Sequence, residues 1–200
     1  MKKKIFQILF ILCLAANISS GQIYIDYSDI DSNDIVDALA FSGIGIFKFK
    51  IDSLKEKHNF YLILEEYAGK ENLIKTDTLF GESPFNITSE DINEVRFLTK
   101  VENNSFEKVS LFISTPIAST WKEFEMEKKY IRKHYWVKFE ESKIEINKNI
   151  PLLFLGSEWD SIYNGEKTTR FCALPRIPLD LSGDAFDEIP HFYIISYLVK

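Results

Sequence analysis

Over most of this chain, hydrophobic and polar positions alternate in short stretches. Residues 44–51 place Phe47, Phe49 and Ile51 on one side and Lys48 and Lys50 on the other, the period-two signature of a half-buried strand. The segments 59–67 and 72–80 flank Ala68-Gly69-Lys70-Glu71 and read as a hairpin, as do 95–101 and 106–114 around the polar turn Glu102-Asn103-Asn104-Ser105. The run 152–155 after Pro151 is apolar throughout and reads as an interior strand, and 191–199 closes the chain as another strand. Weaker strand signals cover 142–147, through Ile144 and Ile146, and 168–173.

Helical signals are brief. Ser32 or Asn33 is placed to cap a helix over 34–41, with Asp34 and Asp37 suited to the positive end of its dipole and Gly43 to its stop. The spacing from Thr88 to Asp91 resembles a capping box and predicts a helical turn. The stretch 117–132 is ambiguous. Ile117, Trp121 and Phe124 sit at helical spacing among Glu and Lys, so a short helix is expected over 119–129 and a strand over 130–140. Residues 156–167 read as loop, and 174–190, with Pro175, Pro178, Gly183 and Pro190, as a long irregular connection.

Nine to eleven short strands with hairpin turns predict a mainly β fold, an antiparallel two-layer β-sandwich with one or two short helices. The alternative is an α+β domain with one antiparallel sheet and a packed helix, and 117–132 decides between them. No internal repeat, Gly/Ser linker or charge block divides the chain.

The first residues change the picture of where the protein works. Lys2-Lys3-Lys4 precedes an apolar run over 5–16, and Ser19-Ser20-Gly21 offers the small residues a signal peptidase reads. Residues 1–21 are therefore expected to be a cleaved secretory signal and 22–200 one β-rich domain, in the periplasm or on the cell surface. The apolar run is shorter than the ~20 residues a spanning helix needs, so no membrane span is expected after cleavage. Leu12 stands where a lipid-modified signal has a small residue before its cysteine, so Cys13 reads as part of the signal core. Cys172 then has no partner for an internal disulfide, and its apolar neighbours make it a buried, inert thiol.

Charge excludes one class of partner. Formal charge is −6, and without the three leader lysines it is 21 basic residues against 30 acidic, or −9. Such a protein repels phosphate backbones, so nucleic acid is not an expected partner. His58, His134 and His191 share no metal-ligand spacing and read as surface or strand-end residues. The acids from Asp29 to Asp34 match only the start of a calcium loop, because Asp34 stands where Gly is needed and Ala40 where the bidentate Glu would be. Neither a nucleophile elbow nor a phosphate loop is present. No metal, cofactor or catalytic residue is expected.

Two local features remain. Trp159, Asp160, Tyr163, Asn164 and Glu166 mix flat aromatic faces with amide and carboxylate groups, a combination that suits a glycan or an exported protein partner. The bland reading of Trp159 is an anchor into the core. Glu158 and Asp160, two apart, suggest a carboxylate-based glycan hydrolase if they face each other across a cleft. The favoured expectation is a non-catalytic binding or structural module, with that hydrolase as the alternative.

Overall fold

A computed structural model describes residues 31–51, 57–81, 88, 92–101, 107–171 and 174–200. The expected signal, Cys172 and all but Thr88 of the expected turn at 88–91 lie outside the described residues; Thr88 itself forms an antiparallel bridge with Asn59. Val36–Lys200 is one compact unit, and Asp31–Ile35 belongs to another. Helix α1 (Ser32–Phe41) is capped one residue earlier than expected. Asp31 Oδ1 accepts the backbone N–H of Asn33 at 2.7 Å and of Asp34 at 3.1 Å, and Asp34 Oδ2 accepts that of Asp31 at 2.8 Å. Two orphan donors of the first turn and the cap's own N–H are thereby satisfied.

The fold is mainly β and its sheets are antiparallel. Strands β1 (Ile44–Lys50), β4 (Glu94–Val101), β5 (Lys108–Ser114) and β6 (Ser119–Glu125) form a four-stranded sheet in that order. A five-stranded sheet runs β3 (Leu73–Phe80), β2 (Phe60–Tyr67), β11 (Phe192–Val199), β8 (Asn149–Ser157), β7 (His134–Lys138). The two sheets pack as layers over a shared core. Val95, Phe97, Leu111 and Ile113 of the first meet Leu62, Leu64, Leu153, Leu155 and Ile195 of the second. Ring pairs bridge the layers, Phe124 with Tyr193 at 4.9 Å and Phe47 with Trp136 at 6.4 Å.

The five-stranded sheet is covered on its other face as well. Helix α2 (Asp184–Glu188) and the residues flanking it set Phe186, Ile189 and Ile177 against Phe154, Phe192 and Ile194. Strands β8 and β11 are thus buried on both faces, which is why their sequences are apolar at consecutive positions rather than alternating.

Three local expectations are corrected. Residues 119–125 are strand, not helix. Ala118, Phe124 and Met126 face the core at period two, while Trp121 turns outward beside Phe112, with ring centroids 6.2 Å apart. Pairing with β5 along its full length overrides the local helix preference of Glu and Lys, and the α+β alternative falls with that helix. Residues 156–167 are not a loop but carry the end of β8 and the hairpin of β9 (Trp159–Tyr163) with β10 (Glu166–Arg170). Its turn, Asn164-Gly165, has φ of 52° and 84°, the left-handed pair that a two-residue hairpin demands. Residues 142–147 are irregular, although Ile144 still packs on the core.

Candidate functional site

The structure separates the five expected binding residues into two groups. Trp159 and Asp160 line a cleft of about 280 Å³ at the end of the five-stranded sheet, together with Lys129, Arg132, Ser157 and His191. Trp159 is 5% exposed, and its indole N–H donates to Glu188 Oε2 at 2.7 Å, so its ring anchors the second core. Tyr163, Asn164 and Glu166 sit at or beside the hairpin turn, exposed and outside that cleft. Asp160 lies between Arg132 at 3.2 Å and Lys167 at 3.1 Å. Hydrogen bonds from these two cations hold its carboxyl below the usual aspartate range, so it serves as an anion rather than an acid. Glu158 is half-buried and is fixed by its backbone N–H donating to the Lys133 carbonyl at 2.9 Å.

Beneath the rim of the cleft lies a buried polar row. Strand pairing sets His134 of β7 opposite Ser157 of β8, and the backbone N–H of Ser157 donates to the carbonyl of His191 at 3.0 Å. Three neighbouring segments therefore bring His134, Ser157 and His191 side by side, at 5%, 2% and 0% exposure. The two imidazoles meet edge to face, with centroids 5.8 Å apart. Tyr130, from a 3₁₀ turn (Lys128–Tyr130), stacks flat on His191 at 4.0 Å, and the ammonium of Lys129 sits 4.6 Å from the Tyr130 ring centre.

Each imidazole is oriented from behind. His134 Nδ1 lies 2.7 Å from the carbonyl of Arg132, and a carbonyl only accepts, so Nδ1 carries the proton. His191 Nε2 lies 2.9 Å from Glu66 Oε1, which also accepts the hydroxyl of Tyr193 at 3.1 Å. Glu65, the adjacent residue, points to the opposite face and meets Asn149, as strand alternation requires. Burial pushes the pKa of His134 down to about 4 and lowers that of His191, in the second case against the opposing pull of Glu66. Burial, with Glu66 beside it, raises the Tyr193 phenol and keeps it a donor.

Both rings are therefore neutral at neutral pH, and each keeps a lone pair inside the row. His134 Nε2, His191 Nδ1 and Ser157 Oγ are buried and find no hydrogen-bond partner among the described residues; nor does Trp136 Nε1, two positions along β7 from His134. A buried polar atom without a partner costs about 1–3 kcal/mol. The three atoms of the row leave hydrogen-bonding capacity that a water or a ligand group can complete. Two imidazoles and a hydroxyl offer both acceptors and a donor, which suits a ligand carrying hydroxyls. Among the described residues no cluster of three or more His, Cys, Asp or Glu side chains is arranged to hold a metal ion.

Sequence reasoning read His134 and His191 as surface or strand-end residues; both stand at strand ends, but they are buried rather than on the surface, and their meeting was missed. The available signal was their position. Each opens an apolar run, HYWV and HFYI, where an imidazole at the head of a buried strand needs a partner. Glu66, the residue that orients His191, lies 125 positions away in sequence and gave no signal of its own.

The chain belongs to a family described as Domain of unknown function (DUF5041), whose model matches residues 13–200. No curated protein and no solved structure matches it.

Proposed function

We propose that this protein is an exported, non-catalytic binding module of the periplasm or cell surface that takes a small polyhydroxylated ligand, such as a single sugar unit of a glycan, into the cleft lined by Ser157 and His191, with His134 beside them in the buried row. The observation that carries the reading is the set of unpartnered buried atoms, His134 Nε2, His191 Nδ1 and Ser157 Oγ. A sugar hydroxyl both donates and accepts, so one or two of them would satisfy two imidazole lone pairs and a serine hydroxyl together. The rim of Arg132, Asp160 and Glu188 offers further charged partners at the mouth. Export is supported by the lysine-rich start and the apolar run over 5–16.

Binding is favoured over acyl transfer by the spacing of the row. Ser157 Oγ has no hydrogen-bond partner, so neither imidazole is set to take its proton. The carboxylate hydrolase finds less support, because Asp160 is neutralised by two cations.

The test is a titration with a panel of monosaccharides and amino sugars, followed through the imidazole C–H resonances of His134 and His191. The expected result is a ligand that shifts both resonances and binds at least about tenfold more weakly to Ser157→Ala, a loss of about 1.4 kcal/mol. Should every sugar leave the histidine resonances unmoved, or Ser157→Ala bind as tightly as the parent, the reading fails.

A further inference from the structure

A second concavity lies away from the histidine row. It is a groove of about 700 Å³ lined by residues 48–51 at the end of β1, 138–144 after β7, 150–152 in β8, with Arg176 and Tyr197. This volume falls within the ~300–1,000 Å³ of small-molecule sites. Its floor is the edge of the sandwich core, where Phe49, Ile51, Ile144, Ile150, Leu152 and Tyr197 present an apolar surface. Its rim is basic, with Lys48, Lys50, Lys138, Lys143 and Arg176 against Glu140 and Glu141, in a chain whose formal charge is −6.

Two of those cations are already engaged. Lys48 pairs with Glu94 at 2.8 Å and Arg176 with Glu141 at 3.3 Å. Among the described residues no ion pair holds Lys50, Lys138 or Lys143. An acidic protein that gathers uncompensated lysines over an apolar trough has the charge complement of an amphipathic anion. We infer that this groove binds a long-chain carboxylate, with its aliphatic tail along Phe49, Ile144 and Leu152 and its head group among Lys50, Lys138 and Lys143.

Three features select that occupant. The floor is a trough between two layers, which fits a chain one methylene wide better than a broad protein surface of the usual ~800 Å² per partner. Of the two acids on the same rim Glu141 is already paired with Arg176, so Lys50, Lys138 and Lys143 outnumber Glu140 and keep a net attraction for a carboxylate head. Tyr197 lines the floor, and burial pushes its pKa up to about 12, so its phenol stays protonated. This site stands independently of the histidine cleft, since no residue lines both.

The experiment uses the whole protein and three probes, dodecanoate and dodecyl phosphate kept below their micelle concentrations and neutral dodecanol kept below its solubility. Calorimetry gives affinity, and backbone amide shifts give location. Dodecanoate is expected to shift Lys50, Ile51, Ile144 and Tyr197 and to bind at least about tenfold tighter than dodecanol. The double variant Lys50→Glu/Lys138→Glu is expected to lose about tenfold for dodecanoate with dodecanol unchanged, and Ser157→Ala to bind dodecanoate like the parent. Both lysines are exposed, so the double variant keeps its core, and an unchanged circular dichroism spectrum verifies that. Equal affinity for dodecanoate and dodecanol, shifts that avoid the groove, or tighter binding of dodecyl phosphate would each overturn the assignment.

Discussion

Acidification from pH 7 to pH 5 should weaken this protein through His134. The ring is 5% exposed, and burial lowers its pKa from the ordinary 6.5 to about 4. The sign follows from which state takes the proton. As pH falls below 6.5 the unfolded chain protonates this histidine while the folded chain refuses it, so stability present above 6.5 is lost progressively down to about 4. For one such group the loss is about 2 kcal/mol at pH 5 and about 3 kcal/mol at pH 4. His191 moves in the same direction, because burial outweighs the pull of Glu66 and Glu127, and Lys129 adds repulsion. Among the described residues no anion near His134 offsets the cost; its neighbours are the Arg132 carbonyl and the His191 imidazole. Urea unfolding of the parent and of His134→Gln at both pH values measures the effect, because glutamine does not titrate and carboxylates elsewhere contribute equally to both chains. The parent should lose about 2 kcal/mol more than the variant on going to pH 5. Equal losses in the two proteins would refute the claim that a neutral, buried His134 belongs to the folded state.

Other expectations follow from single contacts. Gly156→Ala would place a methyl carbon 2.2 Å from Phe154 Cε1, in a ring boxed by Phe139, Phe186 and Phe192, and should cost about 1–3 kcal/mol by chemical denaturation. Glu66→Ala removes the acceptor of both His191 Nε2 and Tyr193 Oη and should cost about 2–4 kcal/mol, with a changed His191 resonance showing that the ring has lost its orientation. Asn164→Val should destabilise the β9–β10 hairpin by about 1–2 kcal/mol, because a β-branched residue is ill suited to φ of 52°, and hydrogen exchange at Thr168 reads it directly.

The legible parts of the fold were those where one face is buried. In β1, Phe47, Phe49 and Ile51 alternate with lysines because only one side of that edge strand meets the core, and the hairpin β2–β3 carries its turn in the adjacent residues, while the turn expected at 102–105 lies outside the described residues. Two signals misled. In β6 an exposed Lys122 interrupts the period-two row of Ala118, Thr120, Phe124 and Met126, while Trp121 sits outward, so the apolar residues fall by accident at helical spacing. The correct reading depends on pairing with β5, which no local window contains. At Asn164-Gly165 the hairpin dipeptide was present, but its strands β9 and β10 are polar on their exposed sides, so the flanking alternation that would have confirmed it is absent.

The candidate site was less legible for a different reason. Hydrophobic pattern reports how much of a side chain is buried, not which polar atoms remain unsatisfied, and the histidine row is defined by the second property. Ser157 looked like the polar end of an apolar strand, and Glu66 like one of two charges at the end of another. Only the order β2-β11-β8-β7 turns those strand ends into neighbours. Because β11 and β8 are covered on both faces, a polar group at their ends cannot escape sideways into water as it would at an exposed edge. The burial that stabilises the centre of the sheet thus confines two neutral imidazoles and a hydroxyl at its rim, beside one cleft and with hydrogen-bonding capacity left over. Apolar replacements there separate a structural role from a binding one. The triple variant His134→Phe/Ser157→Ala/His191→Phe removes every unpartnered atom of the row together with the His134–Arg132 and His191–Glu66 hydrogen bonds, and should keep a folded circular dichroism spectrum while losing sugar binding by calorimetry. A triple variant that keeps its ligand would show that the row serves only the fold.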